Sequence, residues 1–148
     1  MTVPDLSIVI ATCNRAPLLR EALQAIEHTT QCRYEIILVN GASTDATPQV
    51  LAEFQARYPD RCHIIHETQR EGFVRAVNKG FRAARGRNLM WLNDDARPLP
   101  HALDLAVSQM DAAPPAVGLL ALFHHNAVEK NVAYQTSCQG RQFKLLHV

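Results

Sequence analysis

Residues 6–26 read LSIVIATCNRAPLLREALQAI, and their reading decides the fold. Leu6 to Ala11 is a short apolar run, rich in β-branched residues and without alternation, which is the pattern of a strand buried on both faces. Thr12-Cys13-Asn14-Arg15-Ala16 breaks it with a polar loop. Pro17 suits the first turn of a helix, where its missing N–H costs nothing. Leu18, Leu19, Ala22, Leu23 and Ile26 then fall at helical spacing.

The same unit recurs along the chain. Glu35 to Val39 is a second strand that breaks at Asn40-Gly41. Thr47-Pro48 offers an N-cap and first-turn pair for a helix carrying Val50, Leu51 and Phe54. His63 to His66 is a third strand. Phe73, Val74, Val77, Phe81 and Ala84 form one stripe of a third helix that ends at Gly86. Asn88 to Leu92 is a fourth strand with Trp91 in the core. After Pro98 and Pro100 a fourth helix runs through Leu103, Leu105, Ala106 and Met110 until Pro114-Pro115 stops it, and Val117 to Phe123 is a fifth strand. Strands alternating with helices over short links predict an α/β fold: a mainly parallel sheet flanked by helices on both sides.

At 148 residues the chain has room for one domain, spanning 1–148. Hydrophobic content of 47% and charged content of 20% are those of a globular protein, and a formal charge of +1 offers no field for nucleic acid. No apolar run has the length of a membrane span, and the N-terminus lacks a signal-peptide pattern, so a cytoplasmic location is expected. Cys13, Cys32, Cys62 and Cys138 show no C-x-x-C pair and read as reduced thiols. The end of the chain differs from the rest. His124 to Gly140 shows no period, Gln142 to Val148 alternates like a strand, and the pattern looks interrupted there. An uncovered sheet edge would favour pairing with another copy, a homo-oligomer.

Ligands of open parallel sheets bind outside the carboxyl ends of the strands. Three polar clusters fall at such ends: Thr12 to Arg15, Asn40 to Asp45, and Asn93-Asp94-Asp95, where the run LMWL stops against two adjacent carboxylates. Packing gives no reason for that pair, while a divalent cation does, since hard cations choose carboxylate and phosphate oxygens together. The glycine-rich phosphate loops G-x-x-x-x-G-K-[ST] and G-x-G-x-x-G are absent, so a diphosphate needs such a cation.

SIVIATCNR, LVNGASTDAT, REGFVRAVNKGFRAARG and LMWLNDDA, in this order, resemble the opening strand, second-strand loop, helix and metal-bearing strand of family 2 glycosyltransferases, the inverting group with the GT-A fold. The resemblance covers about residues 5–123. It implies that 1–123 is the nucleotide-sugar-binding half, that 124–148 begins the acceptor-side region, and that the chain is truncated before the general base, expected beyond Val148. It implies further that Thr12, Cys13 and Asn14 contact the nucleotide, that Asn40 binds base or ribose, that Asp94 faces ribose or sugar, and that Asp95 holds Mn2+ or Mg2+. The donor would be a UDP- or dTDP-type sugar and the acceptor a glycan or a lipid-linked sugar, with peripheral membrane association in the parent protein and a role in polysaccharide synthesis. Cys13 stands where the family has an aromatic residue, and Asn40 where it has aspartate. A non-catalytic nucleotide-sugar-binding or interaction module is the alternative reading. A nucleotidyltransferase is a third, disfavoured by the absence of a basic glycine-rich first loop.

Other residues read as scaffold. Arg70 and Glu71 precede the third helix and suit a capping role, with a sugar or phosphate contact as the alternative. Asn78, by the family pattern, makes a buried hydrogen bond near the metal loop. His63 and His66 are strand-end polar residues and not metal ligands. His124-His125 belongs to a loop, Arg97 is solvated, and Glu129 is not the base.

Overall fold

The computed structural model describes residues 2–122. Four strands, β1 (Leu6–Thr12), β2 (Tyr34–Asn40), β3 (Cys62–His66) and β4 (Asn88–Trp91), alternate with α1 (Ala16–Thr29), α2 (Thr47–Arg57), α3 (Phe73–Ala83) and α4 (Ala102–Asp111). All pairings are parallel, and the strand order is β3-β2-β1-β4. The chain winds outward from β1 to β3, then returns to place β4 on the other side of β1. A crossover hand that is held constant puts helices on opposite faces when the direction of winding reverses. Accordingly α1, α2 and α4 pack on one face over Ile8, Ile10, Ile36 and Leu38, while α3 covers Val9, Ile37 and Val39 on the other. β1 and β2, sandwiched between the two layers, are buried almost throughout, as their unbroken apolar runs require.

Local chemistry explains the ends of the elements. Thr47 does not cap α2 from outside. It is the first helical residue, and Asp45 does the capping: its carboxylate accepts from the Thr47 N–H at 2.9 Å and from the Ala16 N–H at 3.3 Å, serving the first turns of α2 and α1 together. These hydrogen bonds, the Thr47 contact foremost, hold the Asp45 carboxyl below its ordinary pKa. Asp104 of α4 accepts the backbone N–H groups of Gln31 and Cys32 at 2.9 and 2.8 Å, pinning α4 to the loop after α1. Asp104→Ala removes both acceptors and should lower stability by about 1–2 kcal/mol, read from urea denaturation. A shift indistinguishable from zero would mean that water replaces the carboxylate at no cost.

Several expectations are corrected. Trp91 is 53% exposed, not core. Leu89 and Trp91 share the face of Ser7 and Val9 by register, but α3 lies over β1 and β2 and leaves the β4 side of that face open. Phe73 and Val74 are exposed, because α3 meets the sheet through Ala76, Val77 and Gly80. Asn78 is exposed, pointing away from that contact. α3 ends at Ala83, ahead of Gly86. No strand forms over 117–121, where none of the described strands supplies a ladder, and only an isolated bridge marks Leu122. Arg97 pairs with Glu21. Phe123, His124-His125, Glu129, Cys138 and the 142–148 run lie outside the described residues. No described helix is long and apolar enough to cross a membrane.

Candidate functional site

Reversal of strand order between β1 and β4 opens a crevice at the carboxyl ends of the strands, the place where open parallel sheets bind ligands. A cleft of about 260 Å³ lies there. Ala11, Thr12, Cys13 and Arg15 come from the end of β1 and its loop, Gly41 from the loop after β2, and Asn93, Asp94 and Asp95 from the loop after β4. Glu67, Arg70, Gly72, Phe73 and Ala76 form the remaining wall, around the start of α3. Thr12 and Asp94, 82 positions apart in sequence, thus meet because their strands are neighbours.

Asp94 is buried, 6% exposed, and fully engaged: Thr12 Oγ1 donates to its Oδ2 at 2.8 Å, and Arg15 Nε stands 3.3 Å from its Oδ1. Asp95 is half-exposed, and its Oδ2 accepts from Arg15 Nη2 at 2.7 Å. One guanidinium therefore sits across both carboxylates. Cys13 Sγ donates to the Gly41 carbonyl at 3.1 Å, which ties the β1 loop to the β2 loop. A Cβ on Gly41 would lie 3.3 Å from Cys13 Cβ, so the close approach of these loops suits glycine.

Asn14 and Asn40 stand behind the cleft wall rather than on it. Asn14 adopts a left-handed φ of 55°, which asparagine tolerates, and its Oδ1 accepts from the Thr44 N–H at 2.7 Å. Its own N–H donates to Ser43 Oγ, so it stitches the first loop to the second. Asn40 is 4% exposed. Its Oδ1 accepts from the Ser43 N–H at 3.1 Å, which turns its Nδ2 toward His66 Nδ1 at 3.2 Å. With Oδ1 so engaged, the Nδ2 amide is the group left to meet the ring nitrogen of His66. His63 lies between Arg85 Nη2, at 2.7 Å, and Glu35 Oε2, at 3.4 Å.

Glu71 does not cap α3. Its N–H donates to Glu67 Oε2, and its carboxylate pairs with Lys79, which also donates to Glu67 Oε1 at 2.9 Å. Both carboxylates raise the Lys79 pKa, Glu71 most strongly. The structure thus puts Thr12, Cys13, Arg15, Asp94 and Asp95 of the expected strand-end clusters on the cleft, and adds Glu67 and Phe73, which the sequence did not single out as walls. The signal for Arg15 was its place in the same polar loop as Thr12.

The profile of the family described as Glycosyl transferase family 2 matches residues 7–146. A PGL/p-HBAD biosynthesis glycosyltransferase of Mycobacterium bovis (strain BCG / Pasteur 1173P2) is 36% identical over 95 residues, covering 64% of this chain and 37% of the relative. The mannosyltransferase PcManGT from Pyrobaculum calidifontis, solved in complex with GDP-Man and Mn2+, superposes with a TM-score of 0.72 at 30% identity, over 84% of this chain and 37% of that one. S. aureus TarS in complex with UDP-GlcNAc superposes at 0.75 with 17% identity, over 88% and 37%, a likeness of fold alone. The chain thus spans little more than a third of the length of each of these three proteins. Its parallel sheet, switch-point crevice and helices on both faces are those of the GT-A fold. With a profile running across nearly all of its residues, the chain belongs to glycosyl transferase family 2.

Proposed function

We propose that this chain forms the donor side of a metal-dependent, inverting glycosyltransferase. In this reading a sugar passes from a nucleoside diphosphate of the UDP or dTDP type to a glycan or lipid-linked acceptor. The observation that carries it is the placement of Asp94 and Asp95 in the switch-point cleft, beside the loop of Thr12 and Cys13. Carboxylates alone repel a diphosphate, whereas carboxylates holding Mn2+ or Mg2+ attract it. No three metal-ligating side chains gather among the described residues, so the donor set fits a cation that takes its other ligands from phosphate oxygens and water. PcManGT, solved with GDP-Man and Mn2+, supports a nucleoside-diphosphate-sugar donor and a divalent cation, and leaves the base of the donor to the titration below.

Asp95 would hold the cation, which when bound would neutralise the departing diphosphate. Asp94, oriented by Thr12, faces ribose or sugar. Thr12 and the backbone near Cys13 bind the base, with Asn14 and Asn40 shaping the pocket from behind. Inversion requires the acceptor oxygen to attack the anomeric carbon opposite the breaking carbon–phosphate-oxygen bond while a base takes the hydroxyl proton. The carboxylates of the cleft are otherwise committed: Asp94 to Thr12 and Arg15, Glu67 to Lys79 and the Glu71 N–H, and Asp95 to the cation. None of these carboxylates is therefore taken as the base, which the family resemblance puts beyond Val148. Free Cys13, Cys32 and Cys62 support a reducing, cytoplasmic setting, with the parent protein peripheral to the membrane.

Calorimetric titration with UDP, dTDP and GDP, each with Mn2+ and with EDTA, tests the reading. The cation should raise affinity for the preferred diphosphate by about tenfold or more, and Asp95→Ala should erase that gain. Equal affinities in Mn2+ and EDTA would remove the metal from the site.

A further inference from the structure

We propose that Arg15 is an internal counter-ion that occupies Asp94 and Asp95 until a diphosphate arrives, so that the cation binds well only together with the nucleotide. The proposal rests on the cation reading above and adds a residue that controls it. Arg15 Nη2 lies 2.7 Å from Asp95 Oδ2, the oxygen a cation at Asp95 would approach. A guanidinium does not deprotonate in a protein, so a second cation at that carboxylate must either displace it or sit against its fixed positive charge.

The grip on the carboxylates is one-sided. Arg15 Nε is buried and 3.3 Å from Asp94 Oδ1, yet it forms no hydrogen bond there. The fork therefore makes one good bond instead of the two that a bidentate pair would make. The backbone of Arg15 is fixed, since its N–H donates to Thr47 Oγ1 at 3.1 Å, whereas its side chain is 42% exposed and has room to swing. A displaced guanidinium finds no spare anion among the described residues of the cleft wall. Glu67 is taken by Lys79 and by the Glu71 N–H, and the other charged group there, Arg70, is a cation. A diphosphate supplies the missing partner, with oxygens in the geometry that guanidinium binds best. Cation alone must therefore either move Arg15 into solvent or share the carboxylates with its positive charge. Cation with diphosphate gives every charge a partner.

Mn2+ binding to the 148-residue chain, followed by electron paramagnetic resonance with and without UDP and GDP, tests this without any need for turnover. In Arg15→Gln, Mn2+ alone should bind roughly fivefold more tightly than in wild type, the upper range for a half-exposed ion pair. The factor by which nucleotide strengthens Mn2+ binding should fall by at least as much, because the same substitution removes the diphosphate's partner. Arg70→Gln removes a cleft cation that touches neither aspartate, and should change Mn2+ binding alone by clearly less. An unchanged or weaker Mn2+ affinity in Arg15→Gln, or equal effects of the two substitutions, would overturn the proposal. Asp95→Ala separates the two levels. If it abolishes Mn2+ binding while Arg15→Gln does nothing, the cation site stands and the Arg15 role fails. If it too does nothing, the site assignment fails and takes this proposal with it.

Discussion

Gly80→Ala should destabilise the domain by about 2–3 kcal/mol, although alanine is the better helix former by roughly 1 kcal/mol. A Cβ at position 80 would lie 2.3 Å from Val9 Cγ1 and 3.1 Å from Val9 Cγ2. Val9 is fully buried on the central strand and stiff about χ1, so it has no rotamer to retreat into. The helix must instead lift by more than an ångström, and that loosens Ala76 and Val77 from Val9, Ile37 and Val39 together. Against a typical total of about 5–15 kcal/mol, such a loss shows clearly in chemical denaturation. Val9→Ala in the same chain removes the offending methyls, so the double variant should be more stable than the sum of the two single losses by at least about 1 kcal/mol. Additive losses would mean that Gly80 matters for some reason other than this contact. The start of α3 also forms a wall of the cleft, so nucleotide affinity should fall along with stability.

The same contact shows what the sequence could and could not display. The strand β1 and helix α1 were legible because each carries a long period: an unbroken apolar run and a repeat of three to four residues. The stripe of α3 holds at Val77, Phe81 and Ala84, which pack on the sheet, but fails at Phe73 and Val74, because the rest of the contact is made by the small residues Ala76 and Gly80. Periodicity reveals which residues share a face but not whether anything covers that face. Trp91 failed for this reason: it alternates correctly on β4, over a part of the sheet that α3 does not reach. Thr12, Asp94 and Asp95 were found because strand ends are visible in sequence and the fold class dictates where strand ends gather. Arg15 was not found as their partner, since its contact with Asp95 spans 80 positions and no spacing rule joins them. Asn40 illustrates a subtler limit. Its position at the end of β2 was correct, but only the structure reveals that Ser43 and His66 already hold its amide.

At the opposite end of the sheet, Glu35→Gln should cost about 2–3 kcal/mol near neutral pH and progressively less in acid. Glu35 is 1% exposed. Its Oε1 accepts from Ser7 Oγ at 2.7 Å and from the Arg85 N–H at 2.6 Å, and its Oε2 takes the Arg85 guanidinium through Nε at 2.9 Å and Nη2 at 2.8 Å. Each of these hydrogen-bond partners is a donor, and His63 Nε2 stands nearby, 3.4 Å from Oε2. Glutamine keeps the shape but turns one acceptor into an NH2 facing donors, which leaves buried N–H or O–H groups unpaired. Burial by itself would raise the Glu35 pKa, but the hydrogen bonds from Ser7 and Arg85 outweigh it and hold the carboxyl below its ordinary value of 4.5. As pH falls, the unfolded chain therefore takes up the proton first. The ionised carboxylate contributes fully above its unfolded pKa and loses that contribution as pH drops through the lower folded-state value. Asp5, Asp45, Glu53 and Asp104 are also depressed, but they are common to both proteins and cancel in the comparison. The gap in unfolding free energy between wild type and Glu35→Gln, measured in urea from about pH 7 down to about pH 3, should thus be constant at first and then close. A gap that stays the same across the whole range would show that the charge on Glu35 is not what joins Ser7, Arg85 and the β2 strand.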